Sequence, residues 1–318
     1  MPLSDADIGR RVVVRRRLGG TGAGAACTDV LGELVSLDGD QLVVRRRDAT
    51  LVSIGLGDVT AAKPIPPAPR RRPSDRELEA IAALGWRGLE QTRLGGWLLR
   101  AGNGFTGRAN SMLPLDQPDR PLADALAFVT DWYAERGLPP LAQVPLPLAA
   151  DVDDTLAGLG WRAYNASRFL VGGITDVLDT CRPRPDLPPV VHEPAPGAEW
   201  LAGYHYRGKA LPAGAVDVLT GAADPTFAAV TGPDGLLGVA RGVVEQGWLG
   251  VTAVTVPEGA RRRGVARHLM RGLATWGGDR GARHVYLQVA EENTAALALY
   301  DGLGFRTHHR YHYRTSAP

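Results

Sequence analysis

The chain has 318 residues, which at roughly 150 residues per domain corresponds to two or three domains. With 44% hydrophobic and 22% charged residues it carries enough apolar material for a sizeable core, and a formal net charge of +2 argues against a strongly basic nucleic-acid-binding protein. All but two of the 36 basic residues are arginines, a bias that reads as genome composition rather than function. Cys27 and Cys181 cannot build a disulfide framework and fit a reducing compartment. The first residues lack an apolar signal region and no run of 18 apolar residues occurs, so secreted and membrane-spanning readings are set aside and a cytoplasmic location is expected.

In chain order, residues 12–18, 29–37, 41–47 and 50–54 are short runs rich in Val, Leu and Ile, separated by Gly19-Gly20, Asp38-Gly39-Asp40 and Asp48-Ala49. Such spacing predicts a small all-β barrel over 1–62, similar to Tudor-like barrels in length and strand count. The arginine triplets 15–17 and 45–47 could touch phosphates. The modest positive charge of this region favours solvated strand ends instead, and nucleic acid is not the expected partner. The Pro/Arg-rich stretch 63–75 reads as a linker. Ser74 with Glu77 then forms a capping box, which starts a helix carrying Leu78, Ile81 and Ala82.

A second proline-rich stretch, 181–189, divides the remainder into 76–180 and 190–318, and these halves resemble each other. Leu-Gly-Trp-Arg at 159–162 recurs as Leu-Gly-Phe-Arg at 303–306, an offset of 144 residues that also carries Trp132 to Trp276 and Arg136 to Arg280. We read a diverged internal duplication. In the second half a β-branched strand over 247–256 meets the turn 258–266. Val265, Leu269, Leu273 and Trp276 then share one helix face, a strand covers 284–290, and a helix over 293–305 precedes an alternating final strand. This is a mixed α/β order.

The turn Arg261-x-x-Gly264-x-Ala266 leaves backbone N–H groups open at a helix start, with Arg261, Arg262 and Arg263 adding charge, a local chemistry suited to a pyrophosphate. Arginine-rich helix starts are common, so an ordinary capped turn is the other reading. Three motifs in order change the balance. The strand end Val254-Thr255-Val256-Pro257, this turn, and Asn293…Ala296…Tyr300…Leu303-Gly304-Phe305 together resemble the acetyl-CoA-binding core of GCN5-related N-acetyltransferases over about 190–315. The turn between Pro257 and Arg261 is one residue longer than usual, which leaves the separate arginine roles open. The resemblance implies tandem acetyltransferase-like mixed sheets, with a degenerate first half and an intact second half, behind the small barrel.

By that resemblance the backbone at Val254 and Val256 would pair with the pantetheine arm of acetyl-CoA. The strands 247–256 and 284–290 would splay to admit the thioester, and the N–H groups of Arg263, Gly264, Val265 and Ala266 would hold the pyrophosphate. Asn293 would contact the cofactor, and Tyr300 would protonate the departing thiolate; packing against Phe305 is the other reading of Tyr300. No carboxylate lies on 250–256. Glu245 is the nearest candidate base, acting through water, with a solvated hairpin glutamate as the alternative and water chains alone as a third.

The first half places Gln117-Pro118-Asp119-Arg120 where the phosphate turn would fall, so this half is not expected to bind acetyl-CoA. Arg108, Asn110 and Ser111, in a turn-rich segment, suit a carboxylate or, equally, a well-capped turn, and Tyr204, Tyr206 and Arg207 form a second acceptor-side cluster, with Arg207 as a helix-surface charge the other reading. His308 and His312 would share a strand face with no acid or cysteine beside them, so no metal is expected. The whole layout is similar to an actinobacterial family associated with N-acetylglutamate synthase activity. That resemblance implies transfer of acetyl to a small primary amine by direct attack, with L-glutamate as candidate acceptor. Acetylation of protein lysines or N-termini, and acetyl-CoA sensing without turnover, are the competing readings. Contact of the barrel with another protein, and the oligomeric state, are left open.

Overall fold

The computed structural model describes residues 3–18, 26–46, 48, 50–66, 72–204 and 211–316, which fall into two compact units, Met1–Arg72 and Pro73–Pro318. In the first unit, β1 (Arg11–Arg17), β2 (Cys27–Leu37), β3 (Gln41–Arg45), β4 (Leu51–Gly55) and β5 (Val59–Pro64) form an antiparallel sheet of order β4-β3-β2-β1-β5. Alternation along each strand turns Val12, Val14, Val30, Leu34, Leu42, Val44 and Ile54 into one apolar core. β5 continues two residues past the expected end at 62, because Pro64 sits at the strand terminus opposite Val12, where a missing N–H is tolerated. The Gly19-Gly20 turn lies outside the described residues.

The second unit begins with α1 (Asp75–Gly85). Its predicted capping box is formed: Glu77 N–H donates to Ser74 Oγ at 3.2 Å, and Ser74 N–H donates to the Glu77 carboxylate at 2.7 Å. The first half continues through β6 (Glu90–Leu94), β7 (Trp97–Ala101), β8 (Leu113–Pro114), α2 (Leu122–Ala134), β9 (Leu141–Leu146), α3 (Ala150–Gly158), β10 (Arg162–Gly173) and α4 (Ile174–Thr180). The second half holds β11 (Val191–Glu193), α5 (Ala198–Gly203), α6 (Ala215–Thr220), β12 (Pro225–Gly232), β13 (Gly235–Glu245) and β14 (Trp248–Thr255). It ends with α7 (Val265–Asp279), β15 (His284–Ala290), α8 (Thr294–Asp301) and β16 (Arg306–Thr315). The 144-residue offset carries α2, β9, α3 and β10 onto α7, β15, α8 and β16 to within two residues, so the repeat read from the sequence is a repeat of elements.

The halves do not close separately at 180/190. One sheet of order β11-β12-β13-β14-β15-β10-β16-β9 contains strands of both, and β10, the last strand of the first half, lies between β15 and β16 of the second. β16 in turn lies against β9 of the first half. Ser167 of β10 faces Tyr311 of β16, a pair one repeat length apart, which places a pseudo-two-fold axis between these two strands. β6, β7 and β8 form a separate three-stranded sheet linked to β9 by a parallel bridge at Met112 and Ala142.

Alternation on β13 divides the layers. Gly242 faces Leu273 of α7, and Val243 faces Gly85 of α1. The core between α7 and the sheet combines Leu269, Leu273, Leu249 and Val251 with Leu170 of the exchanged strand. No helix among the described residues is long and apolar enough to cross a membrane.

Because three ladders join the halves, cutting the connection between them is not expected to separate them. A protease site inserted within 182–186 and cleaved under native conditions should give two fragments that co-elute on size exclusion and part only in denaturant. Dissociation in native buffer would refute the strand exchange.

Candidate active site

β14 and β15 are parallel and paired only at Trp248–His284, Leu249–Val285 and Gly250–Tyr286. Beyond Gly250, β14 stays with β13 and β15 stays with β10, so the two strands open as a V. Two features force the opening. Tyr286 turns its ring across β14 at Gly250, where even a Cβ would strike the ring, so only glycine fits. β14 also carries one extra residue against β13 between Thr252 and Thr255, and Ala253 adopts φ +56°, a bulge that bends the strand away. The splay expected from the resemblance is therefore present, and the backbone groups of β14 on its β15 side have no partner in that strand after Gly250.

At the wide end of the V, a short turn leads to Gly264, the N-cap of α7, at φ +82°; Arg262, at φ +60°, precedes it. His268 N–H donates to Gly264 O, so the N–H groups of Val265, Ala266 and Arg267 lack helical acceptors and point out of the helix start. Arg261, Arg262 and Arg263 are exposed around this turn, and the Arg261 Nε–H donates to Val256 O at 3.4 Å. An open groove of about 560 Å³ passes Val256, Pro257 and Arg261, with Gly203 and Leu236 on the other wall. Arg184, from the stretch read as a plain linker, lies against Gly264 so closely that a Cβ there would collide with its guanidinium. Its Nε–H donates to Asp186 at 2.7 Å.

Tyr300 and Val265 lie in the core between α7 and the sheet, and the half-buried Val254 and Val256 pack against that same core. The Tyr300 ring meets Phe305 edge-on at 5.6 Å, and burial pushes its phenol well above the ordinary value, so the hydroxyl keeps its proton. Asn293 caps α8: its Oδ1 accepts from Ala296 N–H at 3.1 Å, leaving the amide nitrogen for a ligand. Glu245 ends β13 opposite Trp248, half-buried, on the sheet face of Arg241 and Tyr286.

The acceptor side differs from expectation. Asn110 is buried and fully engaged: Oδ1 accepts from Gly102 and Gly104 N–H at 2.7 and 2.9 Å, and Nδ2 donates to Phe105 and Thr106 carbonyls at 2.8 and 2.9 Å. Ser111 is buried with its Oγ accepting from Arg100 at 2.8 Å. Both therefore shape the loop as the capped-turn reading has it, and neither offers a free donor to a ligand. The loop is demanding, with Asn103, Gly104 and Thr106 at positive φ, and Trp86 Nε1–H donates to Thr106 Oγ1 at 2.9 Å. Its product is the placement of Arg108, which donates to Gln288 Oε1 at 2.9 Å, two residues past the last paired position of β15. Tyr204 is buried against Trp200, and Arg207 with Tyr206 lies outside the described residues.

Arg241 was not singled out in the sequence, although a lone arginine inside the apolar run 236–244 is itself a signal. It pairs with Thr252, two residues past the last paired position of β14, and is 1% exposed. Its Nε–H donates to Leu219 O at 2.7 Å and Nη1 to Gly85 O at 3.0 Å, while Nη2 has no partner. Burial lowers its pKa to about 10, which still leaves it charged at neutral pH. Arg108, bonded to the β15 limb, and Arg241, on β13 beside the β14 limb, both lie close to Trp86, 4.8 and 5.0 Å from its ring.

Two family descriptions match the chain: “Probable histone acetyltransferase Rv0428c C-terminal” over residues 74–314, and “Rv0428c N-terminal Sm-like domain” over 6–63. A relative from Mycobacterium tuberculosis named “Probable histone acetyltransferase Rv0428c” is 34% identical, covering 96% of this chain and 94% of its own. The chain belongs to the Rv0428c family of GCN5-related N-acetyltransferases. It is an N-acetyltransferase whose small first unit is Sm-like, the five-stranded all-β build that length and strand count had likened to a Tudor barrel. An N-acetyltransferase of Bacillus subtilis, YobR, is 25% identical over 75% of this chain and 97% of its own. In fold, the chain is similar to a GCN5-related N-acetyltransferase of Kribbella flavida, at TM-score 0.56 and 16% identity over 76% of this chain and 96% of that one. It is also similar to a tandem acetyltransferase of the clavulanic acid pathway, at TM-score 0.53 and 14% identity over 76% and 88%. The family uses acetyl-CoA as donor.

The separation of scaffold from ligand can be measured. Asn110→Ala removes several buried hydrogen bonds and should lower unfolding free energy by about 2–4 kcal/mol. Arg108→Ala should stay within about 1 kcal/mol of the parent protein in urea denaturation. Equal losses would contradict the division.

Proposed function

We propose that the second half binds acetyl-CoA along β14 and at the Gly264 turn, and that the enzyme transfers acetyl to the primary amine of a small acceptor bearing a carboxylate, with L-glutamate as candidate. The observation that carries this reading is the pair Arg108 and Arg241 flanking the V. An arginine nitrogen buried without an acceptor is costly unless a ligand oxygen completes it. The setting is that of cytoplasmic amino-acid metabolism.

The chemistry follows from the residues. The neutral amine attacks the thioester carbonyl, forming C–N and breaking C–S, and its proton leaves to Glu245 through water or to water alone. Unpaired β14 backbone N–H groups stabilise the oxyanion. Tyr300 donates to the departing thiolate in this reading. The pyrophosphate rests on the N–H groups from Arg263 to Ala266, with Arg261 and Arg262 adding charge, Val254 and Val256 pairing with pantetheine, and Asn293 contributing its amide. Tyr204 and Arg207 complete the acceptor wall in this reading. No covalent enzyme intermediate is needed, and burial raises the Cys181 thiol, which disfavours it as a nucleophile. In this reading the first half takes no part in cofactor binding, and the packing of the hairpin glycines Gly95 and Gly96 on Asp119 and Asp116, where the counterpart turn would open, supports that.

A second reading, acetylation of protein lysines, has a specific support in the name of the mycobacterial relative, “Probable histone acetyltransferase”. CoA release from acetyl-CoA over a panel of free amino acids, polyamines and lysine peptides separates the two. Turnover of glutamate that falls roughly 100-fold or more in Tyr300→Phe, with Arg108→Ala raising the KM for glutamate and not for acetyl-CoA, is the expected result. Turnover of peptides alone would replace the small acceptor with a protein, and acetyl-CoA binding without any turnover would overturn the catalytic reading.

A further inference from the structure

The histidines of β16 do not alternate as their sequence predicts. Phe169 of β10 faces His309, but Leu170 faces Thr307, so His308 is the extra residue of a bulge. The bulge turns His308 toward the side of its neighbour. The two Nδ1 atoms lie 3.0 Å apart, with the ring planes at 86°. The first turn of α1 brings an acid to the same point: Asp75 Oδ1 is 3.2 Å from His308 Nδ1 and 3.7 Å from His309 Nδ1. His312, expected to share the face of His308, instead meets Asp153 at 2.7 Å. The expectation that no acid accompanies the histidines is therefore corrected.

The far side of each ring decides what this convergence means. His308 Nε2 is 2.9 Å from the Pro73 carbonyl, which can only accept, so Nε2 carries the proton. His309 Nε2 is 2.9 Å from Glu79 Oε1. The Glu79 carboxylate is oriented in turn: its Oε2 accepts from Gln143 Nε2 at 2.9 Å, and Gln143 Oε1 accepts from buried Arg100 at 3.0 Å. Arg100 can only donate, which sets the amide, and the amide sets the carboxylate as acceptor. His309 Nε2 is therefore the donor too. With a proton on each Nε2, the two Nδ1 atoms face each other and a carboxylate oxygen. Three lone pairs in one place repel unless a cation lies between them.

We infer that Asp75, His308 and His309 form a binding site for one zinc-type divalent cation. The triangle of 3.0, 3.2 and 3.7 Å has the size of one face of a tetrahedral zinc site, whose ligand atoms lie about 3.3 Å apart at the usual Zn–N and Zn–O lengths. Two imidazoles and a carboxylate select a borderline first-row ion over magnesium or calcium. The Glu79 contact to His309 and the Pro73 contact to His308 are the outer hydrogen bonds that metal-bound histidines require. His309 is enclosed, stacked on Phe169 at 4.6 Å, while Asp75 and His308 keep partial exposure, which leaves the fourth position to water. The ion would fasten the first turn of α1 to β16 and set the Glu79–Gln143–Arg100 chain that crosses the core. This site is independent of acetyl transfer and carries no step of it.

Zinc(II) titrated into the metal-free full-length chain, in competition with a chromophoric chelator, tests the site. One equivalent should bind and raise the melting temperature. His308→Ala and Asp75→Asn should each weaken binding at least 100-fold, Glu79→Gln by roughly 10- to 100-fold, and His312→Ala should leave it unchanged. Circular dichroism of the metal-free variants separates lost binding from lost folding, and His308→Ala at a partly exposed position is expected to stay folded. The proposal is overturned if zinc binds no tighter to the parent chain than to His308→Ala. It is equally overturned if nitrogen-15 spectra at saturating zinc still show a proton on Nδ1 of either imidazole, which would make the bridging cation a shared proton.

Discussion

The insertion of β10 between β15 and β16 is the constraint on which the rest of this enzyme depends. A strand opened from its neighbour on one side needs full pairing on the other, because unpaired backbone away from water is costly. β15 leaves β14 after Tyr286, and its whole length from His284 to Ala290 is paired with β10. The V is thus held open by a strand that belongs to the other half of the duplication. The same exchange carries the first-half loop 102–111 to the mouth of the V, where Arg108 meets Gln288. The second half alone would hold the opening and Arg241, but not Arg108.

Much of this was legible in the sequence, and the parts that were not have identifiable causes. Local signals read true: the capping box at Ser74, the glycine turn at 264, and the 144-residue repeat all correspond to what the backbone does. Partner choice among strands did not, since β10 carries the same alternation whether it pairs with β9 or with β15. Asn110 and Ser111 show a related limit. Short polar residues in a turn serve a ligand or serve the loop equally well, and only the four hydrogen bonds around Asn110 decide. The face of His308 was misread because a bulge shifts alternation by one, and a single extra residue leaves no trace in composition.

The duplication has been put to unequal use. In the second half the helix start is opened by a left-handed Gly264 and surrounded by arginines. In the first, Gln117 to Arg120 sit under the β6–β7 hairpin, with Arg76 paired to Asp116 at 2.6 Å, so the corresponding space is filled by protein. That half supplies a strand, a loop and a buried polar chain to its partner.

The buried arginines make the same point in charge. Each half has one on its middle strand, Arg100 on β7 and Arg241 on β13. Arg100 directs its donors to the Ser111 carbonyl, the Ser111 hydroxyl and Gln143, and through Gln143 its charge is set opposite Glu79. It is balanced inside the scaffold. Arg241 binds two carbonyls, Leu219 and Gly85, which carry no charge, and keeps one nitrogen without a protein acceptor beside the V. A buried guanidinium met only by carbonyl dipoles has no counterion, a costlier arrangement than a paired one. Two strands at equivalent places in the halves thus differ in how their buried charge is met, one by a carboxylate through an amide and the other by carbonyl dipoles alone.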